Sequence, residues 1–262
     1  MFRVSIVALG ALGVTLAGAL PSAAATVSIA FDSFDLDAAD AARSAYEAHV
    51  AGAAWRKAED FESFPSWDGR HGTENAVQTS AGKINGVSPE PGGGRTAING
   101  GEGLQVRDTE LSSAADFTAK WGRQNMSAGG KNWLDSNDLK QMVWTVDADS
   151  GFGKFDRMSY FLTDVGDIRG TDFTVTVAAG GTEATTHIAR QANGAINLVR
   201  ILLDGFVDQA TVTMTSNVND GFGIDDLTVA QVAPIPLPAT GLLLCAGLGG
   251  LLAAGRMRAA RA

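Results

Sequence analysis

One cysteine, three histidines and two tyrosines in 262 residues leave little for crosslinks, or for nucleophile and metal chemistry built on those side chains. The single cysteine, Cys245, lies in an apolar run near the C-terminus, so the rest of the chain has no disulfide to brace it. His49, His71 and His187 stand apart in unlike contexts and read as a helix-face residue and two surface residues. No H-E-x-x-H, no G-x-S-x-G elbow and no P-loop occurs. Positive charge is scarce too, with 20 Lys and Arg against 29 Asp and Glu and a net charge of −9. Nucleic acids and anionic lipids need a positive face, so the balance argues against both as partners.

Long apolar runs are present, and both are terminal. Arg3, the apolar stretch Val4 to Leu20 and the A-x-A site Ala23-Ala-Ala25 make residues 1–25 a secretory signal peptide, cut before Thr26 by signal peptidase. At the other end, residues 232–262 begin with Pro234, Pro236 and Pro238. Proline lacks the backbone donor and pushes its predecessor out of the helical region, so this piece is an extended spacer. From Thr240 to Gly255 the run is rich in Leu, Ala and Gly. Counted from Ile235 it is about the ~20 residues a membrane span needs, and Arg256, Arg258 and Arg261 follow on the cytoplasmic side. Removing Arg3 and those three arginines leaves 16 basic against 29 acidic residues, a mature charge of about −13.

Between these ends, residues 26–231 are enough for one independently folding unit. Val27, Ile29 and Phe31 alternate as a strand. A helix at about 37–51 follows, capped by Asp35 or Asp37, with an Ala-rich face narrow enough to lie on a sheet edge or end. From Trp55 the pattern turns to short alternating segments: 55–61, 77–79, 104–107, 141–146, 155–163, 173–178, 185–188, 196–203, 211–215 and 223–229. Turn-forming Gly, Asn, Asp and Ser punctuate them, and 32 glycines fit the same all-β plan, a sandwich or barrel. Residues 89–103 are Gly-rich and nearly structureless, a binding loop or a disordered one.

Ile235-Pro-Leu-Pro-Ala239, an apolar span and arginines resemble the VPLPA form of the PEP-CTERM sorting signal, with Ile in place of the usual Val. The resemblance implies export in a Gram-negative bacterium, transient residence in the inner membrane, removal of the tail by an exosortase, and release to the cell surface or exopolysaccharide matrix. Leu237-Pro-Ala-Thr-Gly241 also matches the LPXTG motif of sortase substrates, which implies wall anchoring instead. Further likeness to the passenger domain of VPLPA-tailed proteins covers Gln105-Val-Arg-Asp-Thr109, Asn132-Trp-Leu-Asp-Ser-Asn-Asp138, Phe155-Asp-Arg157, Phe161-Leu-Thr-Asp164 and Gly221-Phe-Gly-Ile-Asp-Asp226. The segment Leu111 to Met126 departs from that pattern as an insert. That family implies no particular activity.

Acidic residues are the candidate ligand set. Asp135 to Asp138, Asp147 with Asp149, and Asn217 to Asp220 offer oxygen-rich loops of the kind calcium accepts, and equally the side chains that build turns. If 223–229 is a strand, Asp225 shares a face with Leu227 and Val229 and must find a cation or several donors. Asp60-Phe-Glu62 and Ile224-Asp-Asp226 resemble the first and last strands of jelly-roll modules of the MAM and carbohydrate-binding type. That likeness implies a jelly-roll-like antiparallel sandwich with the two strands side by side, and a structural calcium at Asp225, Asp226, Asp60 and Glu62. Trp67, Trp121 and Trp133 sit in polar, loop-like contexts and are the candidate sugar-stacking residues. The expectation is a non-catalytic surface or matrix protein that contacts extracellular polysaccharide; a secreted enzyme acting on such polymers is the alternative.

Overall fold

The computed structural model describes residues 26–64, 76–87, 104–109, 121–137, 139–148, 151, 153–218 and 220–232. Both terminal segments, the sorting motif at 235–239, Trp67 and the Gly-rich stretch 89–103 lie outside them. Among the described residues no helix is long and apolar enough to cross a membrane.

The order is β1 (Val27–Phe34), a 3-10 turn (Leu36–Ala38), α1 (Ala39–Val50), β2 (Ala53–Glu59), β3 (Ala76–Thr79), β4 (Gly82–Val87), β5 (Gln105–Asp108), β6 (Asn132–Asp135), β7 (Gln141–Asp147), β8 (Phe155–Thr163), β9 (Phe173–Ala179), β10 (Thr182–Ile188), β11 (Ile196–Val207), β12 (Gln209–Ser216) and β13 (Gly223–Val232). The larger sheet runs β1-β11-β8-β13-β6-β5, with β2 also on β13; the smaller runs β10-β9-β12-β7-β4-β3. Every pairing is antiparallel. From β7 onward the chain keeps crossing between sheets, and the described residues form an all-β antiparallel sandwich that carries α1.

Period-two alternation builds the core. In β7, Met142, Trp144 and Val146 are buried while Gln141, Val143 and Thr145 face outward; β9 repeats this with Phe173, Val175 and Val177. Trp144 meets Tyr160 of the opposite sheet edge-on at 5.9 Å between centroids, and its Nε1 donates to the Ala81 carbonyl at 2.8 Å. A buried indole needs that acceptor.

Two strands leave little mark in the sequence. β4 reads Gly-Lys-Ile-Asn-Gly-Val, poor in strand formers, and is held by β7 and by the tight turn from β3. β6 is only four residues long and buried on both faces, so no alternation marks it. The helix also corrects an expectation. It begins at Ala39, no side chain caps it, and it packs on the outer face of the larger sheet over β11 and the edge strand β1. Ala42, Tyr46 and Val50 pack there on Phe161, Ile196, Leu198 and Met126.

β13 determines where the polar groups go. One side pairs with β8 along most of its length. On the other, Gly223 and Ile224 pair with β6, whereas Leu227 to Val232 pair with β2. At the changeover the register with β8 slips between Asp225 and Thr228, and Asp226 takes φ +48°. A left-handed residue and a broken ladder leave backbone donors and acceptors unmatched unless another segment supplies partners.

Candidate functional site

The segment 121–131 supplies those partners. Met126 and Ser127 donate their N–H groups to Asp225 Oδ2 at 2.6 and 3.2 Å, and Asn125 Nδ2 reaches the same oxygen at 3.2 Å. Asp225 Oδ1 accepts from the Asp226 N–H at 2.8 Å, and Ser127 Oγ donates to Asp226 Oδ1 at 2.6 Å. Further along, Lys131 and Asn132 N–H groups each lie 2.6 Å from Glu62 Oε1, which Asn125 Nδ2 also approaches at 3.3 Å. Asp60 is exposed and accepts from the Glu62 N–H at 3.1 Å. Asp60, Glu62, Asp225 and Asp226 therefore lie close together just past the end of β2, where its pairing with β13 begins.

A second cluster sits beside the first. Arg123 places Nη1 2.7 Å from Asp135 Oδ1 and Nε 3.6 Å from Asp164 Oδ2, and Arg107 Nε lies 2.8 Å from Asp135 Oδ2. Arg123 and Asp135 are both buried, where breaking an ion pair is far costlier than at a surface. Gly122 makes the approach possible: at φ +73° a Cβ would lie 2.3 Å from the Gly194 nitrogen and 2.6 Å from Asp164 Oδ1. Arg107, Asp135, Asp164 and Asp225 come from four of the five stretches resembling VPLPA passengers, in or just after β5, β6, β8 and β13, which are neighbours in the larger sheet. Arg123 was not singled out in the sequence, because it lies in the apparent insert; that insert also carries Asn125 and Met126, two of the three donors to Asp225 Oδ2.

Burial governs the protonation of these groups. It pulls Asp135 upward, but Arg123 and Arg107 outweigh it and hold the carboxyl below the usual range. Asp164 has less compensation from the Gly194 N–H and Arg123, and burial pushes it up to about 7. Asp220 also rises to about 7, from burial and then the charge of Asp167. Asp225 is raised by burial and by Asp226, with the N–H donors of Met126, Asp226 and Ser127 acting the other way; burial raises Asp226 as well.

Seen as a calcium site, this geometry has its ligands turned toward N–H groups. Asp225 Oδ2 already has three donors and Glu62 Oε1 three, and among the described residues no set of three or more His, Cys, Asp or Glu converges as a metal cage. The arrangement fits a hydrogen-bonded anchor. Asn217 likewise does turn chemistry, accepting from the Asp172 N–H at 2.7 Å and donating to the Gly170 carbonyl at 3.1 Å.

The tryptophans separate. Trp121 is 37% exposed where the pinned segment begins. Trp133 corrects the sequence reading: it is fully buried in β6, against the space that Gly223 leaves empty, and cannot stack on a sugar. The cause is the β6 pairing, which makes a strand of what reads as a polar loop.

No family model matches the chain, and no curated protein matches it either. Among solved structures, a CBM22 xylan-binding domain aligns at 12% identity and TM-score 0.33, covering 71% of this chain and 98% of its own. The CBM22-1 xylan-binding domain of Paenibacillus barcinonensis Xyn10C aligns at 11% and 0.31 over 68% and 94%. TmCBM61, solved with β-1,4-galactotriose, aligns at 13% and 0.31 over 48% and 86%. At these identities and scores, ligand and chemistry stay open.

Proposed function

We propose that this chain is an exported, non-catalytic protein of the cell surface or exopolysaccharide matrix, delivered through its C-terminal sorting segment and an exosortase, and that its sandwich holds extracellular polysaccharide. The observation that carries the non-catalytic part is how the buried Asp135 and Asp225 and the half-buried Glu62 are used. Glu62, Asp135 and Asp225 spend their lone pairs on the backbone and arginines that fix the segment 121–131, which leaves a rigid rim with Trp121 at its start. A general base needs a free lone pair, and a general acid a transferable proton, within reach of a substrate. An aromatic ring on a preorganised loop suits binding instead.

One feature favours the enzyme alternative: Asp164 and Asp220, raised to about 7, have the protonation expected of a general acid at neutral pH. They are only 2% and 7% exposed, so a polymer has no route to them. A glycan array read alongside a panel of polysaccharide substrates decides between the two. Retention without turnover is the expected result, and turnover by the purified mature protein would overturn it.

A further inference from the structure

We propose that the open groove between the β9–β10 and β11–β12 hairpins is a glycan-binding site for uncharged sugar chains, a step that rests on the polysaccharide reading above. Its origin is an irregularity in β11. Between Leu202, paired with Arg157, and Val207, paired with Phe155, β11 takes five steps while β8 takes two. The three extra residues are thrown outward, with Gly205 at φ +147°, a value that side-chain-bearing residues rarely adopt. Opposite them, Gly180 and Gly181, at φ +58° and +79°, close the β9–β10 hairpin in the tight form that positive φ permits.

Between the two tips lies a cavity of about 810 Å3, within the size range of small-ligand sites. Phe206 lines it and is 42% exposed, one of the few large apolar side chains left in water among the described residues. Next to it a smaller hollow of about 410 Å3 carries Leu202, also 42% exposed, beside Asp204. The polar side chains Glu183, Asp204, Asp208 and Gln209 are exposed around the ring.

The chemistry of the lining selects the ligand. A sugar ring has an apolar C–H face that stacks on an aromatic side chain, and an edge of hydroxyls that donate to carboxylates and amides. Glu183, Asp204, Asp208 and Gln209 supply those acceptors around Phe206. Lys154 Nζ is 3.2 Å from Asp208 Oδ2 and offsets one of these charges, and Arg157 stands opposite Leu202 at the smaller hollow. Uronate or sulfated chains would meet like charge at contact, which disfavours them. The isolated ring and leucine give too little apolar surface for a stable protein interface.

The test is calorimetry on the mature protein with neutral, uronate and amino-sugar oligosaccharides, backed by amide shifts at Gly180, Gly181 and Gly205. A neutral oligosaccharide is expected to bind and to shift those amides. Phe206→Ala is expected to weaken it at least tenfold. Phe206 is exposed, so its removal spares the core; Glu183→Gln serves as a second variant, expected to weaken neutral chains and to improve uronate binding. Neutral binding that survives Phe206→Ala and shifts other amides would overturn the groove yet keep the polysaccharide reading. Preference for uronate or amino-sugar chains would overturn the ligand class. Absence of binding to every glycan would overturn both.

Discussion

Asp225 serves as the joint of the fold. Its carboxylate replaces the ladder partners that β13 loses when it passes from β6 to β2, and the replacements come from residues about a hundred positions earlier, Met126 lying 99 residues away. Asp225→Ala removes the acceptor and leaves the Met126 and Ser127 N–H groups buried without one. Each such loss costs ~1–3 kcal/mol, so a denaturant melt is expected to show a drop of a few kcal/mol. Asp225→Asn keeps one acceptor oxygen and is expected to lose less. If the hydrogen-bonded account is right, the mature protein melts at the same temperature in calcium and in EGTA at equal ionic strength. A rise with calcium would restore the metal reading, since a ligand that binds only the folded state stabilises by RT ln(1 + [L]/Kd).

The raised carboxyls make a second prediction at this scale. Asp164 and Asp220 titrate near 7 when folded and near the ordinary carboxylate value when unfolded, so between about pH 4 and 7 the folded state holds more protons. Stability then falls as pH rises through that window. Burial lowers His49 to about 4, so it works in the opposite sense, adding stability as pH rises toward the unfolded histidine value. Two carboxyls against one imidazole leave a net fall. Melting temperature is expected to decline from pH 5 to 7.5, and Asp164→Asn is expected to flatten the slope; a rise over that interval would contradict the assignment.

At the scale of elements, the carboxylates could be read from the sequence and their partners could not. Strand alternation exposes Asp225 as a charge on an apolar face, because period two is a local property. The donors in 121–131 form no regular element, and nothing local marks Arg123 as the partner of Asp135 and Asp164. β6 was illegible for a related reason: a four-residue strand buried on both faces has no alternation, and with it went the exposed placement of Trp133. The helix was legible from its spacing, but its seat was set by Phe161, Ile196 and Leu198 on distant strands. Gly122→Ala tests how far the pinned segment depends on one glycine. Left-handed backbone alone costs a non-glycine residue ~1–2 kcal/mol, and the Gly194 backbone cannot give way as a side-chain tip could. Lower stability is expected, along with loss of the pH slope carried by Asp164; an unchanged melt would show the segment to be replaceable.

For the whole molecule, the expected species on the cell is trimmed at both ends, near Ala25 and close to Pro238 or Ala239. Two apolar segments with opposite placement of flanking arginine motivate this. Intact-mass measurement on native material checks it. A product ending at Thr240 would indicate a sortase, and one that still carries Arg261 would make the tail a permanent anchor.

The central position of β13 also sets the timing of folding. A ribosome delivers this strand after every element it must join, and Tyr46 waits for a hydroxyl 182 residues downstream at Thr228. β2 and β6 have their shared neighbour only once it has been made, and closing such long loops precedes any gain from the contacts. The larger sheet therefore cannot nucleate from its N-terminal end and zip forward. It stays open through most of synthesis and closes late, when the strand just ahead of the proline spacer arrives.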